Sequence, residues 1–186
     1  MSGAKKRTRQ HAASTPATPI RQAFPPVLGK APRLLILGSM PGEASLARGQ
    51  YYAHARNAFW PIIDALLELP AGADYGLRTQ ALEAHRIALW DVIAACARPG
   101  SLDAAIRAET VRVNDFAALF AAQPGIRCVA FNGGTAELEF RRRVLPTLSE
   151  TQRSIERLRL PSTSPAHAGM RFDDKLAAWR VILSRL

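Results

Sequence analysis

The sequence predicts an α/β fold: a short, mainly parallel four-stranded sheet covered by helices on both faces. Two observations predict it. Short uninterrupted apolar runs alternate with longer segments whose apolar residues recur at helical spacing. Two of the runs also end in Gly or Asn, as strands do when the chain turns over the carboxyl edge of a parallel sheet. At 186 residues and 48% apolar composition, the chain suits one domain with a full core.

The elements follow in order. Leu34 to Leu37 is an unbroken apolar run closed by Gly38, the pattern of a strand buried on both faces. Residues 58–69 read as a helix, with Pro61 suited to its first turn and Phe59, Ile62, Ile63, Leu66 and Leu67 on one face. A second helix covers 77–85, and Ile87 to Trp90 is the second strand. Asp115 caps a helix through Phe116, Leu119 and Phe120 that stops before Pro124-Gly125. Arg127 to Phe131 is the third strand, and a helix starts near Thr135. Ile155 to Leu160 alternates apolar and charged residues, which places a fourth strand nearer an edge. Leu176, Trp179, Leu183 and Leu186 mark a final helix that begins at Asp173 or Asp174.

Composition narrows the function classes. No apolar run reaches the ~20 residues of a membrane span, and no signal peptide is evident at the start, so a cytoplasmic protein is expected, nucleoid-associated in a bacterium. The net charge of +10 points to a polyanionic partner. Seven cations precede the first acidic residue, Glu43, so the rest of the chain carries only +3. Residues 1–22 lack apolar periodicity and read as a disordered basic arm, with a transit peptide as the alternative; residues 23–186 read as the single folded domain. Cys96 and Cys128 have no metal-ligand spacing and read as buried thiols, so no metal site is expected.

Three segments at predicted strand ends carry chemistry. Gly38 to Ser45 is a turn of small residues and a proline that lets backbone amides approach a ligand, or is simply a turn. Gln50 to Trp60 gathers aromatics, His54, Arg56 and Asn57 ahead of a helix. Aromatic faces stack on bases, and amide or imidazole groups read base edges or hold water. Phe59 and Trp60 read as core; His54 is a structural hydrogen-bonder or a catalyst, and Tyr51 and Tyr52 stay ambiguous by composition. Leu160 to Gly169 sets three hydroxyls between prolines, in a loop able to bind phosphate or serving as a surface turn.

The ordered set GSMPGEASL, QYYAHARNAFW, ALWDV and LPSTSPAHA resembles the uracil-DNA glycosylase superfamily, specifically its hypoxanthine-DNA (DNA-deoxyinosine) glycosylase branch, over about residues 23–186. The resemblance implies a three-layer α/β/α sandwich and a monofunctional glycosylase. Its substrate is hypoxanthine, with uracil second, in double-stranded and also single-stranded DNA. It implies no cofactor, no metal, no membrane and a monomer. Many branches hold their attacking water with an Asp or Asn where this chain has Met40; the hypoxanthine branch uses an Asn that matches Asn57. Tyr52 matches the aromatic that stacks on the flipped base, and Ser39, Met40 and His54 join it in the base site. Ser162, Thr163, Ser164 and His167 match the loop that enters the duplex and grips phosphate. Leu160, Ala55 and His167 depart from residues common elsewhere in the family. Asp91 is a reserve for water activation or a structural cap, and Asn132 contacts base or sugar or only forms a turn. The rival readings are a uracil-specific glycosylase, a catalytically inactive binder of damaged DNA, and a nucleosidase acting on free inosine.

Overall fold

The computed structural model of the chain describes residues 18–186. A four-stranded parallel sheet is built from β2 (Leu34–Gly38), β3 (Ile87–Asp91), β6 (Cys128–Asn132) and β7 (Glu156–Leu160), in the order β3-β2-β6-β7. The central runs are apolar without alternation because both of their faces are covered. Leu34 and Ile36 pack to one side with Phe59, Ile62, Ile63, Leu82 and Trp179. Leu35 and Leu37 pack to the other with Phe116, Phe120 and Phe140. The first group comes largely from α2 (Phe59–Leu66), α3 (Tyr75–Ala84) and α7 (Phe172–Trp179). The second comes from α4 (Phe116–Ala122) and the turn of π-helix after α5 (Gly134–Glu139). Two short helices, α1 (Glu43–Arg48) and α6 (Glu150–Arg153), follow β2 and precede β7. This is the expected three-layer sandwich. Truncating a fully buried Phe59 or Trp179 would cost about 3–5 kcal/mol. Both cysteines are buried and unpaired, and burial pushes the Cys128 thiol up to about 11.

Register decides where the site forms. Gly38 pairs with Asp91, and Asn132 with Leu160, so four strand ends meet at one carboxyl edge. Edge strand β7 alternates as expected, because one side of it faces water.

A second sheet departs from the expectation. β1 (Ile20–Gln22), β4 (Ile93–Ala97) and β5 (Arg112–Val113) pair antiparallel in the order β1-β4-β5. The arm expected over 1–22 therefore ends earlier: residues 20–22 pair with Ala95 to Ala97, and the rest of the arm lies mostly outside the described residues. The expected strand Ile87 to Trp90 is followed, after a break at Val92 whose amide donates to the Gly38 carbonyl, by β4, which the sequence leaves unassigned. The final helix tightens into 3-10 geometry after Trp179, which turns Ile182 inward and leaves Leu183 exposed, against the expected period. No helix among the described residues is long and apolar enough to cross a membrane.

Candidate active site

A cleft of about 1120 Å³ opens over the carboxyl edge of the parallel sheet. All three segments singled out in the sequence line it, and so do Asp91 and Asn132. Hydrogen bonds from backbone amides join the segments. The Ala53 amide donates to Ser45 Oγ at 3.1 Å, and the Ala58 amide donates to the Thr163 carbonyl at 3.0 Å.

The floor holds two polar groups with no protein partner. Asp91 is 3% exposed, and its Oδ2 accepts no hydrogen bond; the Tyr52 hydroxyl is equally unpartnered. Both lie against Gly38. A Cβ there would sit 2.3 Å from Asp91 Oδ1 and 2.8 Å from the Tyr52 hydroxyl, so only glycine lets them close over the strand end. Burial lifts the Asp91 carboxyl to about 8; the Asp103 carboxylate adds to the rise and Arg98 opposes it. Burial, and then Asp91, push the Tyr52 phenol well above its ordinary value. Both groups are therefore mainly protonated donors at neutral pH. The Asp91 side chain caps none of the described helices, so the cap role expected of it does not fit this geometry.

Tyr52 stands at φ +53°, a strained backbone region for a non-glycine residue, which turns its ring into the cleft wall. Phe59 stacks on one face of the ring at 4.0 Å and 23°, which holds the ring in place. Tyr51 belongs to the core: it is buried and accepts the Trp60 indole hydrogen bond at its carbonyl, 2.8 Å away. Phe59 and Trp60 are core as well.

Asn57 lines the cleft just before α2. Its Oδ1 accepts from the Phe59 amide at 2.9 Å, which fixes the plane of the carboxamide. His54 is exposed at the rim; its Nδ1 accepts from the Arg56 amide at 3.1 Å, leaving Nε2 as the outward ring nitrogen.

The first segment differs from the expectation in one respect. Met40 is buried and packs in a small cluster with Ile93 and Cys96, although it also borders the cleft, so its side chain serves mainly as packing. Ser39 Oγ donates to both Asp103 oxygens at 2.8 and 2.9 Å. The buried Arg98 guanidinium donates to the Met40, Pro41 and Gly100 carbonyls and pairs with Asp103 at 3.7 Å. Sequence reasoning misses this brace. Its one sequence signal is a lone Arg closing the apolar run of β4 before Pro99-Gly100.

The last segment is pinned at four points. Asn132 Nδ2 donates to Thr163 Oγ1 at 2.8 Å, and the Thr163 amide donates back to Asn132 Oδ1 at 2.9 Å. The Trp179 indole donates to the Pro161 carbonyl at 3.0 Å, and Lys175 Nζ to the His167 carbonyl at 2.9 Å. Thr163 is therefore buried, at 1% exposure, with its hydroxyl committed to Asn132; the expectation that it meets phosphate is corrected. Ser162 and Ser164 are half-buried, and their hydroxyls accept from the Ser164 and Ala166 amides, which leaves each O–H to donate outward. His167 is exposed on the same loop.

An aromatic ring, two buried polar groups without protein partners and a hydroxyl-bearing loop thus meet at one cleft. A family model described as the Uracil DNA glycosylase superfamily matches residues 25–183. Two relatives bear the name hypoxanthine DNA glycosylase. The one from Methanosarcina barkeri is 39% identical over 61% of this chain and 71% of its own length. The one from Methanosarcina acetivorans is 36% identical over 75% of this chain and 93% of its own. The solution NMR structure of a uracil-DNA-glycosylase-like protein from Methanosarcina acetivorans superposes with a TM-score of 0.70 at 31% identity, covering 88% of this chain and 99% of that one. The chain belongs to the uracil DNA glycosylase superfamily.

Proposed function

We propose that the chain is a monofunctional DNA glycosylase that hydrolyses the N-glycosidic bond of hypoxanthine, with uracil as a second substrate. The neutral Asp91 carboxyl at the foot of the Tyr52 ring carries this reading. It sets a donor and an acceptor side by side, which suits the adjacent C=O and N–H of a deaminated base.

The damaged nucleotide leaves the duplex at a cost of a few kcal/mol, less for a mispaired base than for a normal pair. The base then slides onto the free face of Tyr52. As the bond from C1′ to the base nitrogen breaks, its electron pair goes to the base. Asp91, together with backbone amides of the Ser39 turn, stabilises the charge gathering on the base carbonyl. Asn57 positions the water that adds to C1′; an amide orients without abstracting, and the water's proton passes to solvent. Ser162, Ser164 and His167 hold the flanking phosphates in a duplex or a single strand. The protein works as a monomer and needs no metal.

The test is incubation with duplexes carrying one hypoxanthine, one uracil or no lesion, followed by alkali. Alkali-dependent strand breaks at hypoxanthine, fewer at uracil and none in the control are expected. Breaks at uracil alone would replace the branch assignment with a uracil-specific one. Tight binding without breaks would make the chain a binder of damaged DNA, the reading that Met40 favours.

A further inference from the structure

A serine hydroxyl has one hydrogen to give and two lone pairs that accept, so what it reads on a ligand depends on where its hydrogen goes. At Ser39 that choice is fixed. Its Oγ donates to both Asp103 oxygens, at 2.8 and 2.9 Å, and among the described residues nothing donates to it. Asp103 is itself held, because it pairs with Arg98 at 3.7 Å. The buried Arg98 is anchored in turn by the Met40, Pro41 and Gly100 carbonyls. The Ser39 carbonyl accepts from the Ile93 amide at 3.0 Å, which ties its backbone to β4. Ser39 and Asp103 both line the cleft. The Asp103 charge also adds to the rise of both Asp91 and Tyr52, so it acts close to the floor of the site.

The Ser39 hydroxyl therefore offers the cleft lone pairs and no hydrogen. The distinction matters for purines. Hypoxanthine carries a hydrogen on N1 beside its C6 carbonyl, whereas adenine has a bare N1 beside an amino group. An oxygen that can only accept bonds the first and repels the lone pair of the second. We propose that Asp103, acting through Ser39, makes the cleft select a base with a ring N–H next to a carbonyl over one with a bare ring nitrogen. This rests on the glycosylase reading above and deepens it. Asp103 is a positioning residue: it sets the polarity of Ser39 and does not touch the base. A base of the wrong polarity leaves groups in the cleft unpaired, which is how polar sites reject an analogue that lacks one hydrogen.

The experiment measures single-turnover excision from two duplexes, one carrying hypoxanthine and one carrying unsubstituted purine. Purine has a bare N1 and only hydrogen at C6, so it fits wherever hypoxanthine fits. The proteins are wild type, Ser39→Ala, Asp103→Ala and the double variant. Wild type should strongly prefer hypoxanthine. Asp103→Ala frees the Ser39 hydrogen to turn into the cleft, so the ratio of the two rates should fall by about tenfold or more, with purine released faster than by wild type. That gain should vanish in the double variant, which lacks the hydroxyl. Ser39→Ala, which leaves Arg98 and Asp103 paired, should slow on hypoxanthine and change little on purine. Asp103→Ala slowing both substrates alike would make Asp103 structural and overturn the proposal, leaving the glycosylase reading standing. A gain on purine that persists in the double variant would overturn it too. If Asp103→Ala does not fold, Ser39→Ala decides alone, and an unchanged ratio there overturns the proposal. A wild type inert on hypoxanthine would overturn the glycosylase reading, and this proposal with it.

Discussion

At the residue scale the balance turns on Asp91. Folding raises its carboxyl from the ordinary 3.8 to about 8, because burial penalises the charge more than Arg98 relieves it. The folded protein thus keeps a proton that the unfolded chain releases near pH 4. Across that interval the native state binds more protons, so stability falls as pH rises, by on the order of a few kcal/mol, and levels off above the folded value. Urea unfolding of Asp91→Asn between pH 4.5 and 8.5 should show a flatter profile than wild type; parallel profiles would mean that Asp91 does not titrate as the burial implies. Activity carries the same signature. Wild-type excision should decline as pH rises through about 8, and the Asn variant, which keeps a donor without titrating, should lack that limb. Asp91 is visible in the sequence only as a reserve candidate. Its chemistry depends on burial and on Gly38, and neither follows from a run reading ALWDV. Tyr52 and Asn57 enter as candidates through the family resemblance, since composition leaves Tyr52 ambiguous; periodicity reveals only the helix start that follows them.

At the element scale, the Leu160–Gly169 loop is an assembly of borrowed restraints. Removing the Asn132 side chain leaves the buried Thr163 amide and hydroxyl unpaired. Asn132→Ala should therefore destabilise the fold by about 1–3 kcal/mol and loosen the loop, read as a lower urea midpoint with weakened duplex affinity. Ser162→Ala with Ser164→Ala should leave stability nearly unchanged. It should weaken duplex binding regardless of sequence, with a smaller defect on single strands; unaltered duplex affinity by fluorescence anisotropy would reduce the loop to a surface turn. The loop's position and its prolines are legible in the sequence. The burial of Thr163 is not, since it follows from a bond across the sheet edge to a residue 31 positions away. The brace of Arg98 and Asp103 against the first segment escapes for the same reason, and the antiparallel sheet does so because β1 and β5, the partners of β4, are only three and two residues long. The parallel sheet itself is legible because strands buried on both faces leave no other pattern.

At the scale of the whole molecule, charge and site are separate contributions. Lys5, Lys6, Arg7 and Arg9 fall outside the described residues and supply four of the ten net positive charges. Deleting residues 1–17 should flatten the dependence of log K on log salt by up to ~0.9 for each phosphate that the arm neutralises. Single-turnover chemistry on saturated enzyme should not change. An unaltered slope would exclude the arm from binding DNA.

The central claim is that a base held against Tyr52 departs while Asn57 holds the attacking water. The most direct measurement is single-turnover release of free hypoxanthine from a single-lesion duplex, with wild type and Asn57→Ala compared at saturating protein. Wild type should release the base. The variant should bind the duplex with similar affinity and release it at least ~10²-fold more slowly, about 2.7 kcal/mol of barrier. Equal rates in the two proteins, or no release by wild type, would contradict the account.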